Sequence, residues 1–297
     1  MWFWFEIAAV CCWAGINVLD SVLVHHYHKH PVVLMWSQSI FSVPILLLLL
    51  AIFHPQSPWI PLLVGVGVIA YAGDLVFFRA LDLIDVSVTN IAWAILSVFL
   101  SVGGFLVLGE RWSGSQSAGA IGIVLGVLLL SLWHRKLGSA RSLLLLPLLA
   151  VLYLPFYFVQ KLALEAGQTV FAVSLWPLLG REVTSFLFPL VHTPLQSRLR
   201  AYVPRAGFSF HMLNGCVVLL FLTATLLTTA AFAVGQVSLV SIVGNVQPFF
   251  VLLLAWTAHA FLPRFAPREL VNSRSFSMKL MGFTLVFGGL ALLALQK

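Results

Sequence analysis

Val86–Leu108 reads VSVTNIAWAILSVFLSVGGFLVL, without a single charged residue. An α-helix crosses the hydrocarbon core of a bilayer in about 20 residues. The apolar run is continuous rather than alternating, so it reads as a spanning helix and not as a barrel strand. A second stretch, Val237–Leu262, reads VSLVSIVGNVQPFFVLLLAWTAHAFL and opens on the same Val-Ser pair. Ala80 precedes the first stretch by the same spacing as Ala231 precedes the second. The two stretches thus look like one element used twice.

Outward from these, the chain is a series of such runs. The spans are predicted at Trp2–Val24, Pro31–Phe53, Ile60–Arg79, Val86–Leu108, Ser117–Trp133, Leu143–Leu162, Thr169–Val191, Phe208–Ala231, Val237–Leu262 and Ser277–Leu295. His25–His30, His54–Pro58, Glu110-Arg111, His134–Arg141 and His192–Gly207 punctuate them. Pro44, Pro147, Pro155, Pro177 and Pro248 fall inside spans and are expected to kink them. Of the 297 residues 61% are hydrophobic and only 8% charged, against roughly 25% charged in a soluble domain. Mean hydropathy is +1.05. This excludes a soluble enzyme, a secreted scaffold and a disordered tail.

The echo continues beyond spans four and nine. Gly119 and Gly126 in span five are spaced like Gly282 and Gly289 in span ten, and each pair leads into a leucine-rich end. An odd number of spans per copy inverts the second copy in the membrane, the arrangement of many secondary transporters. The expected fold is therefore all-α and integral to the membrane, with ten helices in two inverted repeats, 1–141 and 142–297. Gly122 and Gly126 form a small-residue face suited to close helix packing.

The order of these motifs resembles the drug/metabolite transporter superfamily, and within it the EamA-type ten-helix members. The residues that carry the resemblance are Trp13-Ala14-Gly15-Ile16-Asn17, Phe77-Phe78-Arg79-Ala80-Leu81, Val86-Ser87-Val88, Leu108-Gly109-Glu110-Arg111, Gly119 and Gly126. In the second half they are Ala231, Gly235, Val237-Ser238 and Val246-Gln247-Pro248. Two departures stand out: Ser97 takes the position matching Pro248, and Phe261 stands near the place matching Glu110. The resemblance implies a secondary active transporter, commonly an exporter of amino acids, other metabolites or drugs. It also implies a multi-pass protein of a bacterial inner membrane.

Polar side chains inside the spans are costly unless they face the interior or a wet cavity. Glu6, Trp13, Asn17 and Asp20 share one stripe of span one. From such stripes the expected substrate-binding residues are Trp13, Asn17, Tyr71, Asn90, Trp93, Tyr153, Tyr157, Gln160 and Asn245. The aromatics supply contact area and the polar groups fix orientation. Asp20 and Asp74 are the proton-coupling candidates, with Arg79 expected to set their charge. The rival reading is a fixed ion pair of either acid with Arg79. Glu110, at a span end, is expected to be exposed.

Other chemistry finds little support. His-Glu-x-x-His, Gly-x-Ser-x-Gly and phosphate-loop motifs are absent from the sequence, so an enzyme is not expected. The alternative kept open is an intramembrane enzyme using Asp20 and Asp74 as paired acids. His25, His26, His28 and His30 match no closed metal site, and neither a metal nor a cofactor is expected. Cys11, Cys12 and Cys216 lie in apolar runs and imply no disulfide framework. Trp2-Phe3-Trp4-Phe5 directly after Met1 leaves no basic leader for a cleavable signal. The expected partners are a small-molecule solute, a coupling proton and the lipid bilayer. Nucleic acid is not expected, and a monomer and a homodimer remain open.

The net charge of +7 comes from loop cations. Arg111, Lys161 and Lys297 fall on the side of both termini, and the rest of the 16 Lys and Arg fall on the other. The positive-inside rule places that richer side in the cytoplasm and the termini outside. The family resemblance implies cytoplasmic termini instead. The imbalance is large enough that termini outside is the expectation adopted.

Overall fold

A computed structural model describes residues 1–27, 30–84, 89, 91–132, 140–191, 193–202, 206–261 and 273–294. All its regular elements are helical. They are α1 (Trp2–Val22), α2 (Pro31–Phe53), α3 (Ile60–Leu83), α4 (Ile91–Val107), α5 (Gly114–Leu132), α6 (Leu145–Glu165), α7 (Val170–Val191), α8 (Phe208–Val234), α9 (Val237–Gly244), α10 (Gln247–Phe261) and α11 (Ser273–Ala294). A π-helical turn, Leu23–Tyr27, extends α1, and short helices Ala140–Leu143 and Thr193–Tyr202 lie in connections. The chain is a multi-pass, membrane-type bundle. Six helices (α1, α2, α3, α6, α7 and α8) are long and apolar enough to cross a bilayer, and shorter apolar helices accompany them. Large apolar side chains such as Leu48, Leu106, Ile121, Val191, Leu219 and Phe287 face outward. In water that surface would be untenable; against acyl chains it is the expected one.

The helices pair across the two halves of the chain. α1 packs on α8, and α6 on α3. α3 packs on α7, and α8 on α2. α4 packs on α6, and α1 on α10. The pairs α2–α7, α4–α9 and α5–α11 complete the bundle. The α5–α11 seam is held at backbone distance by glycine. A Cβ on Gly126 would stand 2.8 Å from the Gly282 carbonyl oxygen, and one on Gly119 would stand 2.9 Å from that of Gly289. Only hydrogen fits there.

Span nine is not the single helix expected from Val237 to Leu262. It breaks at Asn245-Val246, between α9 and α10. Pro248 lacks an N–H, and its ring excludes the carbonyl four residues back, that of Gly244. The chain responds by tightening: Asn245 N–H bonds Ile242 O at 3.1 Å and Val246 N–H bonds Val243 O at 3.0 Å. Ser241 O is thereby released from the α-helical pattern, and the Ser97 hydroxyl of α4 donates to it at 2.8 Å. Ser97, where the opposite half has proline, thus satisfies a carbonyl freed by the break. α4 runs through Ser97 unbroken. The start expected for span four at Val86 lies outside the described residues.

The corner between α8 and α9 is capped by two opposite charges. Lys161 Nζ donates to Phe232 O and Gly235 O, each at 2.9 Å, at the C-terminal end of α8. The Glu110 carboxylate accepts from Val237 N–H at 2.6 Å, from Ser238 N–H at 3.2 Å and from the Ser238 hydroxyl, at the N-terminus of α9. A cation at a helix C-terminus and an anion at an N-terminus each satisfy orphan backbone groups and oppose the dipole. Glu110 is therefore buried and not the exposed helix-end residue expected from its position. Lys161, counted above as a loop cation, is buried as well.

Candidate functional site

The polar stripes converge on one cavity in the centre of the bundle. It measures about 130 Å³, below the about 300–1,000 Å³ of drug-sized ligand pockets, and so favours a small solute. Trp13, Asn17, Trp93, Tyr153, Tyr157, Gln160 and Asn245 line it, together with Asp20 and Asp74. Tyr71 does not. It is buried one turn before Asp74 and packs against Phe188, with ring centroids 5.8 Å apart. Asn90 lies outside the described residues.

One wall is a run of rings. Trp93 meets Tyr153 edge to face with centroids 5.1 Å apart, Tyr153 stacks on Tyr157 at 6.1 Å, and Tyr157 meets Phe232 at 6.0 Å. These offset and T-shaped contacts are those aromatic quadrupoles prefer. Trp93 and Tyr153 come from different halves of the chain, on α4 and α6, which pack together. The amides are positioned by backbone and hydroxyl partners. Gln160 Nε2 donates to Val173 O at 3.2 Å. Asn245 Nδ2, at the helix break, donates to Ser97 Oγ at 3.0 Å.

The charged part of the site departs most from expectation. Arg79, read as the charge partner of Asp20 or Asp74, lies outside the cavity and pairs with Asp82 at 3.0 Å, with its side chain 58% exposed. The reason is helical geometry: five residues turn the chain about 140° from the Asp74 face. Asp74 instead receives Arg181 Nε from α7 and the Tyr153 hydroxyl from α6. Arg181 Nη1 also donates to Glu182 at 2.5 Å, and Glu182 accepts from the Ser42 hydroxyl at 2.5 Å. The guanidinium lies 4.1 Å from the Phe221 ring centroid. Asp20 accepts a hydrogen bond from Gln38 Nε2 at 3.1 Å. Asp20 and Asp74 therefore have separate partners, unlike the shared proton of a paired-acid enzyme.

Glu6 completes the set. It is buried, 3% exposed, and lines the cavity. Trp13 Nε1 donates to Thr228 Oγ1 at 3.5 Å, and Thr228 hydrogen-bonds the Glu6 carboxyl. Among the described residues, Oε2 of Glu6 has no hydrogen-bond partner, and neither has Nδ2 of Asn17. The sequence stripe contained Glu6 but gave it no role. Arg181 and Glu182 were missed too, although a charged pair inside an apolar span is itself a signal, because such groups need partners. Among the described residues no cluster of three or more His, Cys, Asp or Glu is placed to hold a metal ion. The histidines of the segment 25–30 fall partly outside those residues.

Comparison with known proteins agrees with this architecture. No curated protein matches the sequence. A solved chain described only as "Crystal structure of protein" superposes with a TM-score of 0.70 at 17% identity, covering 99% of this chain and 96% of that one. At that identity the likeness speaks for the fold alone. Residues 1–132 match the family described as the EamA-like transporter family, which places an EamA-like transporter domain over the first half of the chain.

Proposed function

We propose that this protein is a secondary active transporter of a small solute, a metabolite, amino acid or drug-like molecule, and that it works as an exporter. The observation that carries this reading is the central cavity. It is enclosed by both halves of the chain, lined by rings and amides, and bordered by the broken span nine. Discontinuous helices at a midplane site are a recurrent feature of transporters. The match of residues 1–132 to a transporter family points the same way.

The ten spans form two inverted repeats, 1–141 and 142–297. Support comes from the packing. Exchanging each span with the one five places away converts α1–α8 into α6–α3, α3–α7 into α8–α2, and α4–α6 into the pairing of span nine with α1. The pairs α2–α7, α4–α9 and α5–α11 map onto themselves. The glycine seam obeys the same exchange, which carries Gly119 against Gly289 into Gly282 against Gly126. An in-plane two-fold axis through the cavity accounts for both.

Reconstitution into vesicles tests the reading. A panel of radiolabelled amines, amino acids and neutral metabolites is scored for accumulation with and without an imposed proton gradient. Gradient-driven accumulation of at least one solute, lost on Trp93→Ala, is expected. Equal, unsaturable leakage in protein-containing and protein-free vesicles would overturn it.

A further inference from the structure

We propose a second binding site, separate from the central cavity and independent of the transport reading. The headgroup of an anionic phospholipid seats in a crevice between the ends of α1, α2 and α3 and the connecting helix Thr193–Tyr202, with its phosphate on Arg79 and Arg198.

The crevice measures about 660 Å³, within the about 300–1,000 Å³ of ligand pockets. Its depth in the bundle is the first argument. Tyr27 closes the π-helical turn that extends α1, Pro31 opens α2, and Asp82 lies in the last turn of α3. These three helices are long and apolar enough to cross a bilayer, so their ends meet at headgroup level. Tyrosine is enriched at that level, and Tyr27 is packed there against Phe210, with ring centroids 5.6 Å apart. Leu75 lines the crevice from deeper in α3, about 12 Å from the helix end at about 1.5 Å per residue. The crevice thus runs from the headgroup level towards the acyl chains. The connecting helix supplies its last side. Leu199 is buried while Arg198 and Arg200 are exposed, the division expected of a helix lying along the interface. Of the two arginines, Arg198 lines the crevice.

The chemistry of the lining is the second argument. Arg79 gives Nη1 to Asp82 at 3.0 Å. A guanidinium has five N–H donors, so most of those of Arg79 remain. Among the described residues Arg198 takes part in no ion pair. Two guanidiniums against one carboxylate leave the crevice positive. Arginine forks match the paired oxygens of a phosphate, and basic pockets between spans suit anionic headgroups. The floor distinguishes a lipid from a free anion. Pro31, Val32 and Leu75 are apolar and offer inorganic phosphate nothing, whereas the glycerol and first methylenes of a lipid would cover them.

The test measures binding of the first lipid to the full chain in nonionic detergent by native mass spectrometry. The probes are dioleoylphosphatidylglycerol, an anion, and dioleoylphosphatidylcholine, a zwitterion with the same acyl chains. One cation near the membrane surface is worth about fivefold in affinity for anionic lipid, so wild type should prefer phosphatidylglycerol by about tenfold or more. Arg79→Gln with Arg198→Gln should lose that preference. Arg111→Gln with Arg200→Gln, an equal loss of charge at exposed positions outside the crevice, should keep it. Equal binding of the two lipids by wild type, a preference kept by the crevice variant, or an equal loss in both variants would overturn the proposal. Displacement of phosphatidylglycerol by inorganic phosphate at constant ionic strength would assign the site to a free anion and overturn the lipid occupant. Should the crevice variant unfold, Arg198→Gln alone decides: an about fivefold loss of preference is expected, and an unchanged preference would overturn the proposal.

Discussion

Arg181 on α7 donates to Asp74 on α3, and the same guanidinium reaches Glu182 beside it. Both side chains of the inter-helix pair are under 10% exposed. Two charges held this deep stabilise the bundle only as a set, because each would be strongly disfavoured alone. Removing one partner of a buried pair costs about 3–5 kcal/mol, whereas replacing both by apolar groups is often neutral. Asp74→Asn is therefore expected to lower thermal stability sharply in detergent. Because Arg181→Met alone would strand the buried Glu182, the triple replacement Asp74→Leu, Arg181→Met and Glu182→Gln should recover much of the loss. A triple variant as unstable as the single one would show that the set has a role beyond pairing its own charges.

The glycine seam gives a prediction with opposite signs at adjacent positions. Gly288 has nothing within 4 Å of where a Cβ would stand, whereas a Cβ on Gly289 would collide with Gly119 and Ile123. Alanine in an exposed helix interior gains about 0.5–1 kcal/mol over glycine. Overpacking a tight contact costs about 1–3 kcal/mol. Gly288→Ala is expected to hold or raise the melting temperature and Gly289→Ala to lower it. Equal effects would mean that α5 and α11 are not packed at backbone distance.

The sequence made the membrane class, the helical content and the approximate position of each long span legible, because about 20 apolar residues in succession have few other solutions. The cavity-facing stripes were legible for the same reason that amphipathic faces are: Trp13, Asn17 and Asp20 repeat at helical spacing. What failed was pairing. Asp74 and Arg79 are close in the chain, but the helix turns them apart, and Arg181 arrives from a helix a hundred residues on. Glu6 looked peripheral because it lies near the start of its span; distance along a helix says nothing of what another helix lays over it, here Thr228 of the second half. The break in span nine was half visible, since Pro248 was marked as a kink. The compensating hydroxyl of Ser97 was read only as a departure from the family pattern.

Orientation is decided by accessibility. The charge bias places the His134–Arg141 and His192–Gly207 connections in the cytoplasm and both termini outside. Burial of Lys161 and Arg181 removes one cation from each side and leaves the bias in place. In a variant lacking Cys11, Cys12 and Cys216, single cysteines at Ser139 and Ser197 should resist an impermeant maleimide in intact cells and react after permeabilisation. Labelling before permeabilisation would invert the protein and put its termini inside.

Asp20 and Asp74 face the same cavity, yet substitution should separate them. Asp74 accepts from two side chains, one of them cationic, so losing its charge leaves the buried Arg181 with Glu182 as its remaining carboxylate partner among the described residues. Asp20 accepts only the amide hydrogen bond from Gln38 among the bonds found for it. The carbonyl oxygen of asparagine accepts the same bond, so Asp20→Asn should fold with near-wild-type stability. A coupling residue must alternate between charged and neutral as the site opens to either side, and a carboxyl tied to a guanidinium is poorly suited to that. Asp20 is thus the better candidate of the two for proton coupling. Asp20→Asn is expected to abolish accumulation driven by an imposed proton gradient while solute exchange across the vesicle membrane continues. Undiminished gradient-driven accumulation by a well-folded Asp20→Asn would remove Asp20 from the coupling mechanism. Loss of exchange together with accumulation would assign it to solute binding instead.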